Sequence, residues 1–116
     1  MFRSIVVPLD GSYTAERILP WIRDFARTGA EINLVRAVPK AGLTAESDHA
    51  RARERDDALR HLTGIANRLG RAEIWVQTGD AAKVVMDVAR KSRADVIAMT
   101  TRGATTVRRG LFGSTA

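Results

Sequence analysis

An open, parallel α/β sheet is the fold this sequence predicts, and three observations predict it. Residues 4–9 and 94–99 are nearly continuous apolar runs, the pattern of strands covered on both faces. Segments whose apolar residues recur at three and four positions alternate with these and with two further strand-like runs. Strands alternating with helices call for parallel pairing through right-handed crossovers. With 116 residues, 45% hydrophobic and 28% charged, the chain is read as a single domain, 1–116, around one core.

Residues 4–9 form the first strand. Ser12 or Thr14 then caps a helix whose Ala15, Ile18, Leu19, Ile22, Phe25 and Ala26 share one side. Pro20 interrupts the hydrogen-bond ladder there and kinks the helix, unless the helix proper begins later. Thr28-Gly29 closes it. Residues 31–38 read as the second strand, and 39–47 as a loop bearing Pro, Gly, Thr and Ser. Helical spacing returns over 45–69, with Ala58, Leu59, Leu62, Ile65, Ala66 and Leu69 aligned and Gly70 as the stop.

Residues 72–78 alternate, with Ala72, Ile74 and Val76 against Glu73, Trp75 and Gln77, which marks an edge strand. Gly79-Asp80 turns the chain into a helix that buries Ala81, Val84, Val85 and Val88. The run at 94–99 completes a β-α-β-α-β-α-β order, and the remainder reads as a loop. Strands one and four are then central and strand three lies at an edge. Their carboxyl ends, Pro8-Leu9-Asp10 and Met99-Thr100-Thr101, flank one crevice, the place where such sheets bind ligands.

The chemistry on offer is sparse. No cysteine is present, and His49 and His61, read as solvated helix positions, are too few for a metal cage. "IVVPLDGS" could suggest a phosphatase loop with a nucleophilic aspartate two residues before Asp10. Pro8 stands at that position and has no carboxylate to phosphorylate. A net charge of +6 makes an anionic partner plausible. Much of it lies in "HARARERDDALRHL", a solvated helix face, which leaves Arg102, Arg108 and Arg109 as the better anion candidates. Trp21 and Trp75 are read as packing or surface residues.

The last segment, "MTTRGATTVRRGLFGSTA", spaces Gly103 from Gly113-Ser114 by nine residues. Small residues let backbone amides approach a phosphate, although an ordinary surface loop has the same composition. Here the chain resembles the universal stress protein family along its whole length. "VVPLDGSYTAERILPW" resembles the family's opening, "GDAAKVVMDVA" its Gly-Asp-Pro-Ala helix entry with Ala81 for proline, and the closing segment its ATP motif of spaced glycines. Thr100 stands where that motif has its first glycine.

The resemblance implies a Rossmann-like domain that binds ATP, with Mg²⁺ as its companion ion, and acts as a regulatory or stress-response module rather than a dedicated enzyme. It implies that Pro8, Leu9 and Asp10 line the adenine and ribose end, with Ala37 against the base and Met99 and Thr100 as the opposite wall. Arg102 and Gly103 would meet the phosphates, held also by Gly113, Ser114 and Thr115. No catalytic residue and no metal ligand are assigned.

A homodimer in the cytoplasm is expected, with no membrane span and no signal peptide. Two rivals stand beside this reading: a family member that binds no nucleotide and works through dimer contacts, and a basic nucleic-acid binder. The family's last helix and fifth strand would lie beyond residue 116, which leads to the expectation that the fourth strand is an uncovered edge.

Overall fold

The computed structural model describes residues 2–40, 45–101 and 104–109. The elements in chain order are β1 (Ser4–Pro8), α1 (Tyr13–Glu16), α2 (Leu19–Arg27), β2 (Glu31–Val38), α3 (Ala45–Leu69), β3 (Glu73–Thr78), α4 (Ala81–Lys91), β4 (Val96–Thr101) and β5 (Ala104–Arg109). The sheet order is β3-β2-β1-β4-β5. β1 to β4 run parallel to one another, with Pro8 opposite Val35 and Val6 opposite Ile97. β1 and β4 are internal and β3 is an edge, in agreement with the apolar runs and the alternation.

The continuous apolar run of β1 has a direct cause. Ile5, Val7 and Leu9 face a core built with Ile18, Ile22, Leu62 and Ile65, under α2 and α3. Val6 points the other way, with Val35, onto Val84, Val88 and Ala89 of α4. Period-two geometry sends successive side chains to opposite faces, so a strand covered on both must be apolar throughout.

The helix after β1 is split at Pro20. α1 ends at Glu16, and α2 starts at Leu19 with Pro20 inside its first turn. A proline at residue 20 has no N–H and would clash with the carbonyl of Glu16 in one continuous helix, whereas the first turn needs no donor there. Leu59, aligned by spacing with the buried stripe of α3, is 41% exposed and sits off it.

β5 departs from the sequence reading. Residues 104–109, taken there as loop, pair antiparallel with β4, from Thr101 opposite Ala104 to Val96 opposite Arg109. The expectation of an uncovered β4 edge is thereby corrected. Thr105, Thr106 and Val107 are β-branched, and pairing satisfies backbone groups that β4 would otherwise expose.

A polar pin fastens the amino ends of the strands. Asn33 is fully buried in β2, and its Nδ2 donates to Ser4 Oγ (3.2 Å) and the Ile5 carbonyl (3.3 Å). Its Oδ1 accepts from Trp75 Nε1 at 3.0 Å, so one side chain joins β1, β2 and β3. Ser4 Oγ donates to the Ser92 carbonyl (3.2 Å), and the Asp95 carboxylate accepts the Arg3 and Ser4 amides. Asn33→Leu should therefore cost about 1–3 kcal/mol in chemical denaturation, because the Trp75 Nε1–H donor and the Ser4 Oγ acceptor lose their partner inside the protein.

The Arg3 amide, followed by that of Ser4, holds the Asp95 carboxyl below the ordinary carboxylate value. A depressed folded-state pKa gives stability that is present above the unfolded-state value and lost as pH falls through the folded one. The stability difference between wild type and Asp95→Asn should accordingly stay level near neutrality and shrink on acidification. Denaturant midpoints followed down the acid limb check it.

Candidate functional site

At the carboxyl ends the two crossovers diverge. From β1 the chain passes through α1 and α2 to β2 on one side, whereas α4 delivers β4 on the other. The gap is a cleft of about 230 Å³. Pro8, Leu9 and Asp10 reach it from β1, Ala15 from α1, Val35, Arg36 and Ala37 from β2, Ala81 and Val85 from α4, and Met99 from β4. A larger hollow of about 350 Å³ lies at the opposite end of the sheet. Its Arg3, Glu31, Arg71 and Glu73 are exposed and of mixed sign, and it is not at the strand-order switch.

The loop after β1 is built by its own sequence. The Leu9 amide donates to the Val35 carbonyl at 2.9 Å, which extends the β1–β2 pairing one residue past the strand. Asp10 Oδ1 accepts the Ser12 amide at 2.8 Å, and Ser12 Oγ accepts the Ala15 amide at 3.1 Å. The turn between them requires a left-handed residue, and Gly11 supplies φ +87°. The bonds from Ser12 are the main cause that holds the Asp10 carboxyl below its ordinary value, with a smaller contribution from Arg36. Asp10 is an anion at neutral pH.

Pro8, Leu9, Asp10, Ala37 and Met99, drawn from three segments of sequence, meet in this cleft. Thr100 follows on β4, its backbone opposite Thr105. Arg102, Gly103, Gly113, Ser114 and Thr115 lie outside the described residues. β5 carries the backbone of Arg108 and Arg109 opposite Ile97 and Val96, at the amino half of β4. The antiparallel return thus takes this stretch of backbone away from the carboxyl end of β4, beside which the sequence reading sets both arginines as anion candidates.

Sequence reasoning missed Arg36. Its guanidinium lies against the Gly11 backbone, so close that a Cβ at residue 11 would sit 3.2 Å from Nη1. The parallel alignment of Pro8 with Val35 places residue 36 beside the β1 loop, a signal that pairing the strands on paper could have supplied. The reading of His61 as solvated is also corrected. Its side chain is largely buried and faces Glu16, Nε2 to Oε2 3.3 Å, because this side of α3 packs toward α1.

The cleft offers an apolar slot for a flat ring, one carboxylate and one guanidinium. Asp10 and Arg36 are the only charged groups in its described lining, and no ion pair of 4.0 Å or less joins them. A carboxylate with a depressed pKa is a poor general base near neutrality.

An α/β domain with its cleft at the strand-order switch is the class that fold and site define. The sequence profile of the universal stress protein family matches residues 1–116, and the chain belongs to that family. No curated protein matches it. Among solved structures it is similar to the hypothetical protein MJ0577, whose biochemical function was assigned from structure, at TM-score 0.73 and 19% identity, covering 85% of this chain and 74% of that one. A universal stress protein in complex with cAMP matches at TM-score 0.64 and 18% identity, covering 83% and 74%. The UspA of Lactobacillus plantarum matches at TM-score 0.62 and 23% identity, covering 97% and 88%. These identities establish a shared fold.

Gly11→Ala should destabilise the domain by about 1 kcal/mol or more, since a side chain at φ +87° is strained and its Cβ crowds Arg36. Thermal and denaturant melts of the variant measure it.

Proposed function

We propose that this domain binds an adenine nucleotide, ATP foremost, and acts as a regulatory module of the stress response rather than as a dedicated enzyme. The observation that carries this reading is the convergence of Pro8, Leu9, Asp10, Ala37 and Met99 on one cleft. The residues present suit the group. Pro8, Ala37, Val85 and Met99 offer apolar surface to a base, and the Asp10 carboxylate can accept a ribose hydroxyl. Gly103, Gly113, Ser114 and Thr115 carry the spacing of a phosphate motif and, with Arg102, would hold the phosphates. Bound ATP would bring its own charge and, with Mg²⁺, a neutralising ion.

A structural neighbour solved with cAMP supports the adenine class of ligand. The family resemblance also supports a homodimer working in the cytoplasm. No helix among the described residues is long and apolar enough to cross a membrane.

One observation favours a second reading, a member that works through dimer contacts without nucleotide. Thr100 replaces the motif's first glycine, and β5 takes up residues 104–109 of its nine-residue spacer. Mass spectrometry of ligand released from the purified protein separates the two. Adenine nucleotide in the released fraction, or saturable binding of added ATP, is the expected result, and neither would be found under the second reading.

Within the first reading, Asp10→Asn should weaken ATP binding about ten-fold, the usual worth of one charged hydrogen bond, with only a small drop in melting temperature because Asn keeps the bond from the Ser12 amide. Arg109→Ala should leave binding unchanged. Calorimetric titration of both variants checks the ranking.

A further inference from the structure

Arg36 has no place in the family motif, yet its environment is specific. One face of the guanidinium rests on Gly11, the residue after Asp10. The side chain is half-buried, and among the described residues it makes no ion pair and none of its N–H groups is hydrogen-bonded. A guanidinium partly withdrawn from water with its donors unused carries a desolvation cost that an anion would offset. Asp10 does not fill that role, since it lies beyond ion-pairing distance and is bonded to the Ser12 amide. The rest of the described lining is uncharged, so within it an anion entering the cleft meets one cation.

We propose that Arg36 receives the phosphate attached directly to the ribose, and so makes the cleft select adenosine phosphates over adenosine. The proposal rests on the nucleotide reading above, which puts the ribose at Asp10. Arg36 lies against the very next residue, and its planar fork can hold two oxygens of one phosphate. In that reading the outer phosphates fall to Arg102, Gly103 and the residues of the spaced-glycine motif, not to β2. The contact is therefore complete with a single phosphate and gains nothing from a second or third. Resting on the Gly11 backbone, the guanidinium also gives up less freedom on binding than an unsupported one.

The test is calorimetric titration of the full chain with adenosine, AMP and ATP. Wild type, Arg36→Gln and Arg36→Lys are compared, with a thermal melt of each. Arg36→Gln should lose about ten-fold in affinity for AMP and for ATP alike, with adenosine unchanged. Arg36→Lys, which keeps the stem and the charge, should recover part of the loss. In wild type, added salt should weaken AMP binding and leave adenosine binding level.

An equal loss for adenosine would make Arg36 a packing residue and overturn the proposal. So would a loss confined to ATP, which would put the contact at an outer phosphate, or no loss at all. Should Arg36→Gln melt early, the Lys variant and the wild-type salt series still decide. A wild type that binds none of the three overturns the nucleotide reading itself. One that binds all three without regard to residue 36 overturns only the role given to Arg36.

Discussion

β1 is buried on both faces, and that one constraint organises the molecule. Val7 must find apolar cover under α2 and α3, whereas Val6, one residue earlier, must find it under α4. A single chain meets both demands by crossing to β2 on one face and to β4 on the other. The crossover that leaves β1 for β2 and the one that comes from β3 through α4 to β4 lie on opposite faces and do not both close over the carboxyl end of β1. The cleft is thus a by-product of covering the central strand, and its floor is Pro8, Leu9 and Asp10 because those residues come next.

The two ends of the sheet are held by different means. At the amino end Asn33, Ser4 and Asp95 tie β1 to β2, β3 and the approach to β4 with side-chain hydrogen bonds, partly in a fully apolar surround. Such bonds are strong where water is excluded, and they fix the register of strands whose apolar side chains would tolerate a slip. At the carboxyl end Asp10 bonds only within its own turn, and Arg36 bonds to nothing described. Polar side chains are bonded across strands at one end and only locally, or to nothing described, at the other.

How much of this was legible in the sequence depends on which physical signal each residue leaves. Burial on two faces writes itself as a continuous apolar run, so β1 and β4 could be read as central and β3, with its alternation, as an edge. Pro20 announced a break, and only its exact place, a new first turn rather than a kink, needed coordinates. The cleft residues Ala37 and Met99 came with the family resemblance, not from any property of alanine or methionine. Arg36, His61 and β5 were not legible for a shared reason. Their environments are set by residues distant in sequence: Gly11 under Arg36, Glu16 facing His61, and the open edge of β4 beside residues 104–109. A Gly, Thr and Arg composition says loop until a strand with unpaired hydrogen-bonding groups lies next to it.

The charge of the chain shows why position outweighs composition. A net charge of +6 raises the concentration of any anion near the surface, but it does so for phosphate, nucleic acid and acidic protein alike. Most of those cations are solvated and screened, and the backbone of Arg108 and Arg109 runs at the amino half of β4. One guanidinium on the rim of an apolar cleft, beside one carboxylate, can discriminate where solvated surface cations cannot. It is partly desolvated, fixed against Gly11, and set opposite the only group in the described lining that would repel an anion placed wrongly. Attraction at Arg36 and repulsion at Asp10 together define a direction, and a ligand with a neutral hydroxyl-bearing end and an anionic end fits that direction in one orientation only.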